Sequence, residues 1–105
     1  MKVIKVCYKD VVLGKLTFQE GVYCYEASKI GVDKAYKKGY TTFVYDCDQS
    51  FVSDTLPASL QDLVSEEIVS NIATLTEILE TDTEFDVLYK FAALDVGKPD
   101  FHVEI

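Results

Sequence analysis

The chain has 105 residues, 49% hydrophobic and 27% charged, as one globular domain over 1–105 would have. Eighteen acids against ten basic residues, all of them lysine, leave a net charge of −8; this acidity and the missing arginine fork weigh against nucleic acid as a direct ligand. No apolar run approaches the ~20 residues of a membrane-spanning helix, no leader-like charged-then-apolar segment opens the chain, and five Gly and two Pro exclude a low-complexity class.

The alternation of Ile4, Val6 and Tyr8 with Val3, Lys5 and Cys7 predicts a strand over 3–8. Lys9-Asp10 forms a short turn, and Val11–Gln19 is a second strand in which Gly14 marks a bulge or a close approach. Glu20-Gly21 turns the chain into a third strand, Val22–Glu26. Links this short allow only antiparallel pairing. A helix is expected over Ala27–Lys38, capped by Ser28 and closed by Gly39, with Ile30, Ala35 and Tyr36 inward and Gly31 weakening its first turn. Tyr40–Cys47, dense in β-branched and aromatic residues, reads as a fourth strand.

Asp48–Thr55 is expected to be a loop, with a helix starting near Leu56-Pro57. Leu60, Leu63, Val64, Ile68, Ile72, Leu75 and Leu79 keep helical spacing to Glu80, with a break anticipated at Ser70-Asn71. Thr83 with Asp86 forms a capping box for a helix ending near Leu94, whose apolar face is Phe85, Leu88, Tyr89 and Ala92. Gly97 and Pro99 interrupt the chain before a last strand, Phe101–Ile105, that joins the sheet. The sum is an α+β fold: a mostly antiparallel sheet with helices packed on one side.

Charge is unevenly placed. Residues 1–38 hold eight lysines and four acids; residues 39–105 hold two lysines and fourteen acids. An acidic half of this kind suits a solvated surface or a basic protein partner. Glycine-rich phosphate loops, a G-x-S-x-G elbow and an H-E-x-x-H helix are all missing. Asp46 and Asp48 form a D-x-D pair at a strand end, a spacing that serves a turn or, with phosphates, Mg²⁺. Cys7, Cys24 and Cys47 lie in no tight motif, which reads as buried thiols of a reducing, cytoplasmic compartment. A Cys–His dyad requires His102, the sole histidine, to meet a cysteine in space. Four good zinc ligands are not apparent, so no catalytic residues, metal or cofactor are expected.

Four segments in order resemble the small N-terminal subdomain of HipA-type kinases. Residues 6–18, Val-Cys-Tyr-Lys-Asp-Val-Val-Leu-Gly-Lys-Leu-Thr-Phe, are similar to its opening strand, turn and "(V/L)-G-x-L" strand. Gly21–Glu26 resembles its "F-x-Y" strand, Phe51–Pro57 its "F-x-(D/N)-x-L-P" turn into a helix, and Thr83–Tyr89 its "D-x-F-x-L-L" helix. After L-P the family commonly has an acidic residue, Gly and often Trp; Ala58, Ser59 and Leu60 stand here. The resemblance implies a stand-alone HipS-like antitoxin, which binds and restrains a HipA/HipT-type Ser/Thr kinase toxin, with a HipB-like helix-turn-helix protein as a further partner. It also places partner contacts at the turn, on Phe51, Val52, Asp54, Leu56, Pro57 and Leu60. Two other readings of the residues stay open: an acidic decoy that imitates DNA phosphates, and a small enzyme or metal protein using the cysteines, His102 or the Asp46/Asp48 pair.

Overall fold

The computed structural model describes residues 2–40, 47–94 and 99–105. Three strands, β1 (Ile4–Tyr8), β2 (Val11–Gln19) and β3 (Val22–Ala27), form an antiparallel meander through two-residue turns. Lys9 (φ 51°) and Glu20 (φ 54°) sit in the left-handed region at these turns, as does Gly21. Such turns match the right-handed twist of the strands they join.

At Gly14 the sequence expectation is met twice. The β1–β2 register steps from Val6–Gly14 to Cys7–Val12, leaving Leu13 as the extra residue of a bulge. Thrown out of the ladder, the Leu13 carbonyl accepts a hydrogen bond from the Ser28 N–H at 2.8 Å. Gly14 is also a close approach: a Cβ there would strike the Tyr25 ring and the Glu26 carbonyl.

Helix α1 (Lys29–Lys37) is capped by Ser28, whose Oγ accepts from the Gly31 N–H at 3.1 Å, and it is followed by Gly39 at φ 82°. Its buried residues are Val32 and Ala35. Ile30 and Tyr36, expected inward, face solvent, Ile30 at 83% exposure. The reason is Gly31, against which the Val12 carbonyl packs so closely that a Cβ has no room. The contact face is therefore centred on Gly31, Val32 and Ala35, and Ile30 is turned away from it.

The strand expected over Tyr40–Cys47 lies largely outside the described residues; Cys47 itself is buried in a turn. The loop expected over Asp48–Thr55 contains a short strand, β4 (Phe51–Ser53), paired with β3. The long helical segment expected up to Glu80 is shorter and breaks earlier. Helix α2 (Ala58–Gln61) runs into a 3₁₀ turn (Asp62–Val64), and α3 (Glu66–Ile72) restarts after Ser65 rather than breaking at Ser70-Asn71. Beyond Ile72 the chain turns out of the helix. There the Thr74 hydroxyl donates to the Asn71 carbonyl at 2.8 Å, a local bond that competes with helical pairing, and Leu75 and Leu79 are exposed.

Helix α4 (Glu84–Ala93) has the full capping box: the Thr83 hydroxyl accepts from the Asp86 N–H, and the Asp86 carboxylate accepts from the Thr83 N–H. Phe85, Leu88 and Ala92 are buried on it as expected, with Val87 and Phe91 beside them. The last strand, β5 (Phe101–Glu104), joins the sheet beside β1.

The five-stranded antiparallel sheet runs β4-β3-β2-β1-β5. Ala35, Leu60, Ile72 and Leu88, one from each helix, share a core cluster with Ile4, Val6, Leu16 and Tyr25 of the sheet. The period-2 alternation sends Lys5, Lys15, Cys24, Glu26 and Val52 to the opposite face, where they are exposed. Across that face the register sets Glu26, Lys15, Lys5 and Glu104 in one row, two lysines flanked by two acids.

Candidate functional site

The resemblance places partner contacts at the turn from Phe51 to Leu60, and the structure divides those residues. Phe51 pairs with Tyr25 across β3 and β4, and their rings stack at 5.2 Å, so it is half-buried. Val52, one residue on, points to the other face beside Cys24 and is 73% exposed. Asp54 is exposed, at a bend in which the Ser53 hydroxyl accepts from the Thr55 N–H at 3.1 Å. Pro57 precedes the first turn of α2 and is partly exposed. Leu56 and Leu60 are core residues: Leu60 is fully buried, and Leu56 nearly so. They hold the turn from beneath rather than present it, because an α2 of four residues must bury its apolar side to stay folded.

Phe51, Ser53, Thr55, Leu56 and Pro57 line one shallow hollow of about 250 Å³. On the other face of β4, a groove of about 630 Å³ runs past Val52, Cys24, Thr17, Lys15 and Val3. β4 is thus an edge strand of the described sheet with an open apolar surface on each of its faces.

The D-x-D pair is divided by the described range. Asp46 lies outside it, and the Asp48 carboxylate accepts from the Tyr36 hydroxyl at 2.8 Å, which pushes that hydroxyl above its ordinary 10.0. Of the cysteines, Cys7 and Cys47 are buried as expected, whereas Cys24 is exposed on the open face. The Tyr25 hydroxyl donates to the Cys47 carbonyl at 2.7 Å, and burial raises it well above the ordinary tyrosine range.

A second constellation meets the condition the sequence set for a Cys–His pair, with Cys7 as the cysteine that His102 reaches, and adds Glu104, which was not anticipated. The β1–β5 register puts Cys7 opposite His102, and Glu104, two residues further along β5, falls on the same face. The Cys7 Sγ, a His102 ring nitrogen and a Glu104 carboxylate oxygen all lie within 4.8 Å of one another. His102 Nε2 is 2.7 Å from Glu104 Oε2, while Nδ1 is 3.0 Å from the carbonyl oxygens of both Pro99 and Asp100. Cys7 and His102 are buried, and Glu104 is half-exposed. His102-x-Glu104 was the signal available, since a spacing of two shares a face only on a strand. Its partner, 95 positions earlier, depends on which strand β5 joins.

No family model, curated protein or solved structure matches the chain. Among the described residues no helix is long and apolar enough to cross a membrane.

Proposed function

We propose that this chain is a non-catalytic protein-binding domain that works like a HipS-type antitoxin, holding a HipA/HipT-like Ser/Thr kinase through the surface around β4, with a HipB-like helix-turn-helix protein as a further member of the assembly. One observation carries this reading: Val52 is an exposed aliphatic residue on an edge strand of the described sheet, lining the groove it shares with Val3, Thr17 and Cys24, with the hollow of Phe51, Leu56 and Pro57 on the other face of the same strand. Exposed apolar side chains grouped beside a groove mark a protein-interaction surface. The contact set is revised accordingly to Phe51, Val52, Asp54 and Pro57, with Leu56 and Leu60 as its support. The net charge of −8 would speed encounter with a basic kinase.

Capture of partners from the host lysate by tagged protein, at low and high salt and read by mass spectrometry, tests the reading. A HipA-type kinase retained at high salt, and lost with Val52→Asp, is the expected result; removal of an interface hot spot weakens binding by about 30-fold or more. Recovery of only a nuclease or repressor, released by salt and by competing DNA, would overturn it in favour of the acidic decoy, whose attraction is screened by ions.

A further inference from the structure

We propose that Cys7, His102 and Glu104 form a binding site for a single Zn²⁺-type divalent ion on the open face of the sheet, at the β1–β5 pair. The donor set is a thiolate sulfur, an imidazole nitrogen and a carboxylate oxygen, the three side-chain groups from which protein zinc sites are built. Carboxylate-only surface clusters suit Ca²⁺ or Mg²⁺; sulfur and nitrogen together select a softer ion.

The histidine carries the argument. Carbonyl oxygens only accept hydrogen bonds, so the two that face Nδ1 fix the proton on that nitrogen. This leaves Nε2 pointing at Glu104 Oε2, another acceptor, at 2.7 Å. Such a contact is favourable only with a proton or a cation between the two atoms. An imidazole that donates Nδ1–H to backbone carbonyls and offers Nε2 beside a carboxylate has the outer-shell arrangement typical of zinc ligands.

Alternative chemistry for the same three residues fits less well. A thiol nucleophile needs one ring nitrogen to take its proton and the other to rest on an acid. Here Nε2 already meets the acid, and Nδ1 is held by the main chain, so neither is left to serve the sulfur as that relay requires.

Geometry and access are compatible with an ion. Bond lengths of about 2.0–2.3 Å place tetrahedral zinc ligands roughly 3–3.6 Å apart. The Nε2–Oε2 pair, at 2.7 Å, opens to that with a rotation of Glu104, the half-exposed member, and the remaining pairs lie within 4.8 Å. Cys7 and His102 are held by neighbouring strands in direct register, so two of the three ligands are positioned before any ion arrives. Glu104 marks the path from solvent. Three protein ligands leave one position of a four-coordinate zinc for water. The site lies on β1–β5, at the opposite edge of the sheet from β4, and the proposal does not rest on the antitoxin reading.

The test uses the full chain, stripped with a chelator and titrated with Zn²⁺ and then with Co²⁺ as a spectroscopic substitute. One equivalent of zinc is expected, with a thiolate-to-cobalt charge-transfer band in the near ultraviolet. Cys7→Ser abolishes the band, and Cys24→Ser, which alters the exposed thiol, leaves it intact. Glu104→Gln, at a half-exposed position where folding is not at stake, weakens zinc by at least about 10-fold, the low end for losing even an outer-shell partner. His102→Asn does the same, with circular dichroism checking the fold. Failure to take up zinc would overturn the proposal. So would a band that follows Cys24 instead of Cys7, or zinc uptake indifferent to Glu104→Gln, which would mark diffuse binding to the acidic surface.

Discussion

Gly31 shows how far one residue's role depends on its neighbour. In a helix interior glycine costs about 1 kcal/mol relative to alanine, so Gly31→Ala on an isolated α1 would stabilise it. In the protein the added methyl would meet the Val12 carbonyl, part of the sheet backbone and unable to rotate away. Overpacking against a rigid partner costs about 1–3 kcal/mol, which outweighs the propensity gain. Gly31→Ala should therefore lower stability, read as a lower urea midpoint at unchanged slope; a rise in midpoint would show that α1 can lift from β2. Gly14 obeys the same logic, since the Tyr25 ring and the Glu26 carbonyl fill the space beside it. Its role was legible because glycine inside a strand pattern already signals a bulge or a close approach. That of Gly31 was not, because helix propensity is local and the obstacle belongs to a strand 19 positions earlier.

Among the elements, α4 and the 73–83 segment differ in what their residues disclose. The capping box at Thr83 is a purely local device, and the helix begins where it says. The segment before it has helical spacing but ends its helix at Ile72, and its later leucines face solvent. A polar clasp holds this stretch instead. The Asp82 carboxylate accepts from the Leu79 N–H at 2.9 Å and from the Lys90 ammonium of α4 at 2.5 Å, and Lys90 also donates to the Glu77 carbonyl at 2.8 Å. Lys90 first, then the Leu79 N–H, hold Asp82 below its ordinary 3.8. A carboxyl depressed in the folded state stabilises the fold above its unfolded value and loses that contribution as pH falls through its folded value. Asp82→Asn keeps an acceptor for the Leu79 N–H and removes only the charge. The variant should be less stable than the parent at neutral pH, and the gap between their urea midpoints should close as pH drops below 3.8. A gap independent of pH would show that the clasp works through shape alone.

For the molecule as a whole, the residues at the β4–α2 turn separate into those that hold the fold and those that face outward. Leu60→Ala removes a fully buried side chain and should cost about 2–5 kcal/mol in chemical unfolding. Val52→Asp, at an exposed edge position, should leave the unfolding free energy within about 0.5 kcal/mol of the parent while abolishing capture of the proposed kinase partner. Equal destabilisation by both would mean that β4 belongs to the core. By itself the sequence determined the β1–β2–β3 meander, the Ser28 and Thr83 helix starts, the terminal strand and the α+β class. Each follows from alternation, turn residues or capping within a few positions, and such forces act before the chain is compact. Only the tertiary structure decided that Ile30 and Leu79 face water, that Leu56 and Leu60 lie beneath the turn, and that Cys7 meets His102 and Glu104. Those outcomes depend on which surfaces meet, and helical or strand periodicity shows that a face is apolar without naming what will cover it.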